Sequence, residues 1–236
     1  MVLAVLLSGG IGTRAGSARP KQYIEAAGRS VLSYAAEALF QSRHICAVQV
    51  VAAPQWHRYI LQQLEACCDL SKFSGFSAPG RNRQESIWNA LRDCAFRMGR
   101  EDAVFIHDAV RPFLSKTLVD RCIAALQGHD GVLPVLRMRD TVYLSRDGES
   151  VSGLLRREEV FAGQAPELFL FEKYYEANRA LLPEEILKMN GSTEPAVLAG
   201  MDIVMVPGEE ENFKITTHTD LLRFQERLRK QGGWEI

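Results

Sequence analysis

No stretch of this 236-residue sequence approaches the ~20 consecutive apolar residues that a bilayer-spanning helix needs. Nor is there an excess of charge of one sign. Lys and Arg number 28 against 29 Asp and Glu, a formal net charge of -1, so the chain as a whole draws neither nucleic acid nor an anionic membrane. Cysteine is sparse and unpatterned. Cys46, Cys67, Cys68, Cys94 and Cys122 are odd in number and lack metal-ligand or C-x-x-C spacing. They read as reduced, mostly buried thiols of a cytoplasmic protein. Internal repeats, low-complexity tracts and long linkers are missing. The Walker pattern G-x-x-x-x-G-K-[ST] does not occur, and Gly10-Ile11-Gly12 is followed by Gly16 one residue too late for the dinucleotide fingerprint. That argues against a nicotinamide-dependent oxidoreductase.

What is present is an ordinary globular composition, 47% hydrophobic and 24% charged, arranged as alternating apolar runs and amphipathic stretches. Val2–Leu7 reads as a strand buried on both faces rather than a leader, because it lacks a basic start and runs into Gly9-Gly10. Ser30 is placed to cap a helix reaching about Ser42, with Val31, Tyr34, Ala35 and Ala38 at helical spacing. Strands are expected at Ala47–Ala52, Ala103–Ile106, Gly131–Leu136 and Ile203–Val206. Helices are expected at Gln55–Cys68, Asn82–Met98, Lys116–Leu126, Phe171–Leu182, Pro183–Met189 and Thr219–Lys230, the last with Leu221, Leu222 and Phe224 inward. Such alternation predicts one α/β domain over 1–236, its parallel sheet covered on both faces.

One segment breaks the rhythm. In 139–158, Val142 and Leu144 precede Asp147-Gly148, and Val151 and Leu155 follow, which predicts a β-hairpin arm. A two-stranded arm has too little core of its own, so it is expected to pack on something, with a second subunit as the candidate.

The chemistry concentrates at Leu7-Ser8-Gly9-Gly10-Ile11-Gly12-Thr13-Arg14 and Arg19-Pro20-Lys21-Gln22. Glycines at a strand end let the backbone approach a ligand and aim N–H groups at phosphate oxygens. Arg14 and Lys21 add fixed positive charge. A polyphosphate site follows from the residues alone.

Here the sequence resembles a known family. L-S-G-G-x-G-T-R with P-K-Q is similar to the signature of nucleotidyltransferases. Ile106–Phe113 (IHDAVRPF), Arg139-Asp140-Thr141, Gly163-Gln164-Ala165-Pro166 and Asn212–Thr216 (NFKIT) narrow it to the 2-C-methyl-D-erythritol 4-phosphate and ribitol-5-phosphate cytidylyltransferases. The resemblance runs from about residue 2 to residue 230. It implies a doubly wound, mostly parallel Rossmann-like α/β fold and the reaction of CTP with a polyol phosphate to give a CDP-polyol and pyrophosphate, with Mg²⁺. It also implies a homodimer whose arm completes the partner's site. By motif, Ser8, Gly9, Gly10, Ile11, Gly12 and Thr13 would cradle the CTP phosphates. Gly80, Arg83 and Ser86 of GRNRQES, with Ala109, would serve the nucleotide. Arg14, Lys21 and Lys214 would be catalytic, and Asp108 would hold Mg²⁺. Asp108, Arg111, Thr141 and Arg157 would face the acceptor, Thr141 and Arg157 in trans.

Two departures fall in the acceptor half. The family's Q-T-P-Q is Gln164-Ala165-Pro166-Glu167 here, and its T-D-[DE]-A is replaced by Asn190–Pro195. The loop form and HDAVRPF lean towards ribitol 5-phosphate as acceptor, with methylerythritol 4-phosphate as the alternative. Transfer of another nucleotide and a non-catalytic nucleotide-binding module are the remaining rivals.

Overall fold

The computed structural model describes residues 1–10 and 19–232. Strand β1 (Val2–Leu7) is buried on both sides. Ala4 and Leu6 join a core with Leu32, Leu39, Ile60 and Leu118. Leu3 and Val5 join a second core with Ile87, Leu91, Phe169 and Tyr174. A strand with two apolar faces cannot alternate polar and apolar residues, which is why its sequence is a continuous apolar run.

A small hairpin, β2 (Glu25–Ala26) and β3 (Arg29–Ser30), leads into α1 (Val31–Gln41). Ser30 Oγ accepts the Ser33 N–H and caps α1 as expected. Then follow β4 (Ala47–Val51), α2 (His57–Glu65), β5 (Phe73–Ser77), α3 (Arg83–Cys94), β6 (Ala103–Asp108), α4 (Lys116–Ala125) and β7 (Gly131–Arg137). The arm is β8 (Val142–Leu144) with β9 (Gly153–Leu155). The chain returns through β10 (Phe161–Gly163), β11 (Glu167–Leu170), α5 (Phe171–Arg179), α6 (Glu194–Leu198), β12 (Ile203–Pro207) and α7 (His218–Gly232).

The main sheet runs β10-β7-β11-β6-β1-β4-β5, with β12 also paired to β7. The β1–β4, β1–β6, β4–β5 and β7–β12 pairs are parallel, whereas β10 and β11 run antiparallel to their neighbours. α1, α2 and α4 pack on one face and α3, α5 and α6 on the other. The mostly parallel, doubly wound sheet is therefore present. Strand order reverses at β1, which lies between β4 and β6, and Leu7 stands opposite Asp108 where β1 and β6 end. Open α/β sheets leave their ligand crevice at such a reversal.

The structure departs from the sequence reading in places. β5, β10 and β11 were not expected, being three to five residues long, and β5 carries Gly75 at φ +125°, a poor strand signal. α3 begins at Arg83 because the Asn82 side chain accepts the Glu85 N–H and acts as its cap. The segment expected to be helical at Pro183–Met189 is a 3₁₀ turn over Glu185–Lys188. On α7, Phe224 is buried and Leu221 partly so, but Leu222 is 52% exposed. Cys94 and Cys122 are buried hydrophobes as expected, whereas Cys46 is exposed and Cys67 and Cys68 are only partly covered.

Candidate active site

The end of β1 is held by the segment that follows it in sequence. The Ser8 N–H continues the sheet by donating to the Val51 carbonyl at 2.9 Å, so it is not turned to a ligand as the glycine-rich reading implied. Gln22 Nε2 donates to the Ser8 carbonyl at 2.8 Å and the Gly10 carbonyl at 2.6 Å, and the Tyr23 hydroxyl donates to Ser8 O at 2.9 Å. A 3₁₀ turn, Lys21–Tyr23, presents these groups. The P-K-Q motif thus clamps the loop as well as adding charge. Lys21 is buried, and its ammonium donates to the Thr216 carbonyl.

Two glycines are required by close approach. A Cβ on Gly9 would lie 2.6 Å from Pro79 Cβ, and one on Gly80 would lie 2.6 Å from the Glu85 backbone. Gly9 therefore packs against the Pro79 ring, and Gly80 lets the GRNRQES segment fold back on the start of α3. The Gly80 N–H is taken by Ser86 Oγ at 2.9 Å, and Ser86 Oγ in turn donates to the Asn82 carbonyl at 2.8 Å. These contacts shape the wall of a cavity of ≈ 470 Å³ lined by Gly9, Gly10, Gln22, Gly80, Arg83, Ser86, Asp108 and Lys214, among others.

Asp108 is the electrostatic centre of this cavity. Arg83 Nε donates to its Oδ1 at 3.0 Å, Lys214 Nζ lies 3.0 Å from Oδ2, and Arg111 Nε stands 3.8 Å away. Burial pushes the Asp108 carboxyl up, but Arg83, Lys214 and Arg111 outweigh it and hold the group well below the usual carboxylate range. Asp108 is thus a fixed anion among three cations. Its neighbour His107 is wholly buried, and burial lowers its pKa to about 4. His107 Nε2 is 3.1 Å from the Arg111 carbonyl; a neutral ring bonded there is a brace for the turn.

The cations are positioned by polar groups that the sequence reading passed over. Arg83 NH1 donates to Ser192 Oγ at 2.7 Å, and Arg83 NH2 lies 3.6 Å from Glu167. Both departures from the family pattern therefore converge on one guanidinium. Burial raises the Glu167 pKa against the pull of Arg83. Tyr174 OH donates to the Ser192 carbonyl at 2.7 Å, and Gln84 bridges Tyr174 and Asn178. On the other flank Arg111 NH1 donates to the Asn212 carbonyl at 2.6 Å, Asn212 Nδ2 to the Ala165 carbonyl at 2.7 Å, and Gln164 pairs with the Glu209 backbone. This ladder fixes the loop carrying Lys214. Pairings between residues this far apart in sequence leave no local pattern; the motif membership of Gln22, Gln164 and Asn212 was the one available signal.

Gly9, Gly10, Gly80, Arg83, Ser86, Asp108 and Lys214 are thus brought together, with Arg111 behind Asp108. Ala109 is fully buried in the core, and its N–H donates to the Leu7 carbonyl. Ile11, Gly12, Thr13 and Arg14 lie outside the described residues. Thr141 and Arg157 do not line the cavity. Both are exposed at the root of the arm, where Arg157 NH1 donates to the Arg139 carbonyl at 2.9 Å. A larger cleft of ≈ 820 Å³ opens there between Phe161, Arg137 and Met205.

The donor set suits a Mg²⁺ ion brought with phosphates. Among the described residues no three His, Cys, Asp or Glu side chains cluster, and Asp108 is the acidic group lining the 470 Å³ cavity. Mg²⁺ is commonly held by one or two carboxylates and substrate phosphates rather than by an all-protein cage. An ionised carboxylate in a cationic pocket fits that mode.

Comparison with known proteins points to one family. The 2-C-methyl-D-erythritol 4-phosphate cytidylyltransferase family matches residues 2–230. The chain is 34% identical over 229 residues to the 2-C-methyl-D-erythritol 4-phosphate cytidylyltransferase of Rubrobacter xylanophilus, covering 93% of this chain and 91% of that protein. It is 32% identical over 230 residues to the bifunctional enzyme IspD/IspF of a Chelativorans species, covering 96% of this chain and 55% of that protein; the chain spans about half the length of such bifunctional relatives. The solved 4-diphosphocytidyl-2C-methyl-D-erythritol synthase of Anaerococcus prevotii shares the fold with a TM-score of 0.81 at 24% identity, over 97% of this chain and 96% of that one. The 2-C-methyl-D-erythritol 4-phosphate cytidylyltransferase structure from Thermus thermophilus gives a TM-score of 0.73 at 25% identity, over 95% and 98% of the two chains.

Proposed function

The chain belongs to the 2-C-methyl-D-erythritol 4-phosphate cytidylyltransferase family, and from that premise we propose that it transfers CMP from CTP to 2-C-methyl-D-erythritol 4-phosphate and releases pyrophosphate. The leaning towards ribitol 5-phosphate in the loop sequence is given up, because the family match and the curated relatives carry the methylerythritol name. The observation that carries the reading is Asp108 set among Arg83, Lys214 and Arg111 where β1 and β6 end.

The chemistry asks for little beyond such a pocket. The attacking phosphate oxygen is already an anion, so no general base is required, and His107, buried and bonded to a carbonyl, is not placed as one. Catalysis then rests on alignment and on stabilising charge at the α-phosphate and the departing pyrophosphate. Gly9 and Gly10 let the triphosphate approach the end of β1. Arg14 and Lys21 bind the triphosphate, and Lys214 bridges the acceptor phosphate and the α-phosphate. Gly80 and Ser86 shape the nucleotide wall, and Arg83 holds Asp108. Bound Mg²⁺, held by Asp108 with the triphosphate, supplies further neutralisation of phosphate charge.

The working form is a homodimer in the cytoplasm, the chain folding as one domain. The arm leaves Tyr143 59%, Val151 69% and Leu154 69% exposed, an apolar surface that a second copy would cover. In that arrangement Thr141 and Arg157 serve the partner's acceptor. The cytoplasmic assignment draws on the free cysteines; among the described residues no helix is long and apolar enough to cross a membrane.

Pyrophosphate release from CTP with 2-C-methyl-D-erythritol 4-phosphate, ribitol 5-phosphate and related polyol phosphates tests the reading. Methylerythritol 4-phosphate is expected to give the highest kcat/KM. A higher value with ribitol 5-phosphate would overturn the acceptor, and no turnover with any of them would overturn the enzyme.

A further inference from the structure

Away from the cavity at the end of β1, two thiols stand together in the turn after α2. The Cys67 and Cys68 N–H groups both donate to the Leu64 carbonyl, at 3.0 and 2.7 Å, in the turn that ends α2. That turn sets the two sulfurs 3.6 Å apart. Both residues are partly exposed and unoxidised. Cys67 Sγ also lies 3.3 Å from the Gln63 carbonyl. Cys68 packs against the core, where its hydrogen bond to Cys67 and then burial keep it a thiol.

The surroundings treat the two sulfurs differently. Arg29 reaches towards Cys67 from β3, and its buried Nε has no hydrogen-bond partner among the described residues. Glu37 and Tyr34, from α1, are the other titratable groups facing Cys67, and Glu37 already holds the far end of Arg29 at 2.8 Å. The hydrogen bond from Cys68 and then the Arg29 charge lower the Cys67 pKa to about 7, against burial and Glu37. A thiolate beside a thiol and a cation is the arrangement of a reactive cysteine with a second thiol in reach.

We propose that Cys67 is a thiol–disulfide exchange site with Cys68 as its resolving thiol, taking a low-molecular-weight disulfide of the glutathione type. The Cys67 thiolate attacks one sulfur of that disulfide. Its S–S bond breaks, a Cys67–glutathione bond forms, and one glutathione leaves as a thiolate that takes up a proton. Cys68 then gives up its proton and attacks the Cys67 sulfur, expelling the second glutathione, which is protonated in turn. Two protein thiols are oxidised and one small disulfide is reduced to two thiols. Adjacent Cα atoms stand ~3.8 Å apart across a trans peptide, short of the roughly 4.4–6.8 Å usual for a disulfide. The product is therefore strained and easily reduced again, which makes the exchange reversible. This inference does not depend on which nucleotide or acceptor the enzyme uses.

The test is to incubate the reduced full chain with glutathione disulfide at neutral pH, quench by alkylation and map the peptides by mass. The Cys67–Cys68 peptide is expected to lose two hydrogens, with an initial rate about fivefold above an ordinary peptide thiol, the gain in thiolate being partly offset by its lower nucleophilicity. Cys68→Ser, which keeps a hydroxyl to donate to Cys67, should stop at a single glutathione on Cys67. Arg29→Met should slow the reaction several-fold. Glutathione on exposed Cys46 while the pair stays reduced would overturn the proposal, as would a Cys67→Ser chain that reacts equally fast through Cys68.

Discussion

Lys214 Nζ stands 3.0 Å from Asp108 Oδ2, so the loop before α7 and the end of β6 meet as an ion pair on the wall of the cavity beside β1. Asp108 pairs with Arg83, Arg111 and Lys214 at once. On the proposed reading, a triphosphate entering there would meet a field in which that carboxylate already neutralises part of the positive charge.

Asp108→Asn should lower turnover by ~10²–10³ and weaken its dependence on Mg²⁺. It also removes the carboxylate that Lys214 and Arg111 face and leaves Arg83 with the Glu167 carboxylate alone, so the unliganded protein should lose about 3 kcal/mol of stability. Urea unfolding with and without CTP, beside a Mg²⁺ titration of pyrophosphate release, measures both. An unchanged Mg²⁺ titration would remove Asp108 from the metal role.

Lys214→Ala and Lys21→Ala should each reduce kcat by ~10²–10³, roughly 3–4 kcal/mol of transition-state stabilisation. The same is expected of Arg14→Ala. Steady-state kinetics with saturating CTP separate this from a loss of ground-state binding, which would raise KM alone. Near-normal kcat in any one variant takes that residue off the catalytic list.

His107 gives the acid side of the stability curve. Burial lowers its folded pKa to about 4, below the ordinary imidazole value of 6.5. Between those values the unfolded chain binds a proton that the folded chain does not, so stability falls as pH drops through that window. From pH 7 to pH 5 the loss from this group is about 2 kcal/mol. In His107→Gln, urea unfolding at the two pH values should differ by correspondingly less. An equal fall in both proteins would show that His107 is not the responsible group.

Deleting residues 143–150 should leave the sheet intact by circular dichroism, because among the described residues the arm strands pair only with each other. The shortened protein is expected to run as a monomer in light scattering and to lose most activity. A fully active dimer would refute the role given to the arm.

The sequence carried the parts of the fold whose causes are local. β1, β4, β6 and β7 are short, mostly apolar runs that the pattern marks as strands, and the burial of β1 on two faces is written directly in its continuous apolar sequence. Ser30 announces α1 because a cap is a contact over three residues. The antiparallel return of β11 between β6 and β7 has no such signature, since its partners lie far away in sequence. The site divides in the same way. Gly9, Gly10, Arg83, Asp108 and Lys214 sit in motifs and could be named. That Glu167 and Ser192 both hold Arg83 became visible only once the chain had folded, and it gives the two departures from the family pattern a common purpose.

Lys21 reaches the carbonyl of Thr216, and Phe224 seals α7 against Val31 and Ile215. A nascent chain emerging from a ribosome can therefore pair β1 with β4 and β6 well before the segment carrying Thr216, 195 residues beyond Lys21, has been made. The contact between Lys21 and Thr216 is thus added only after β1 to β12 have been made.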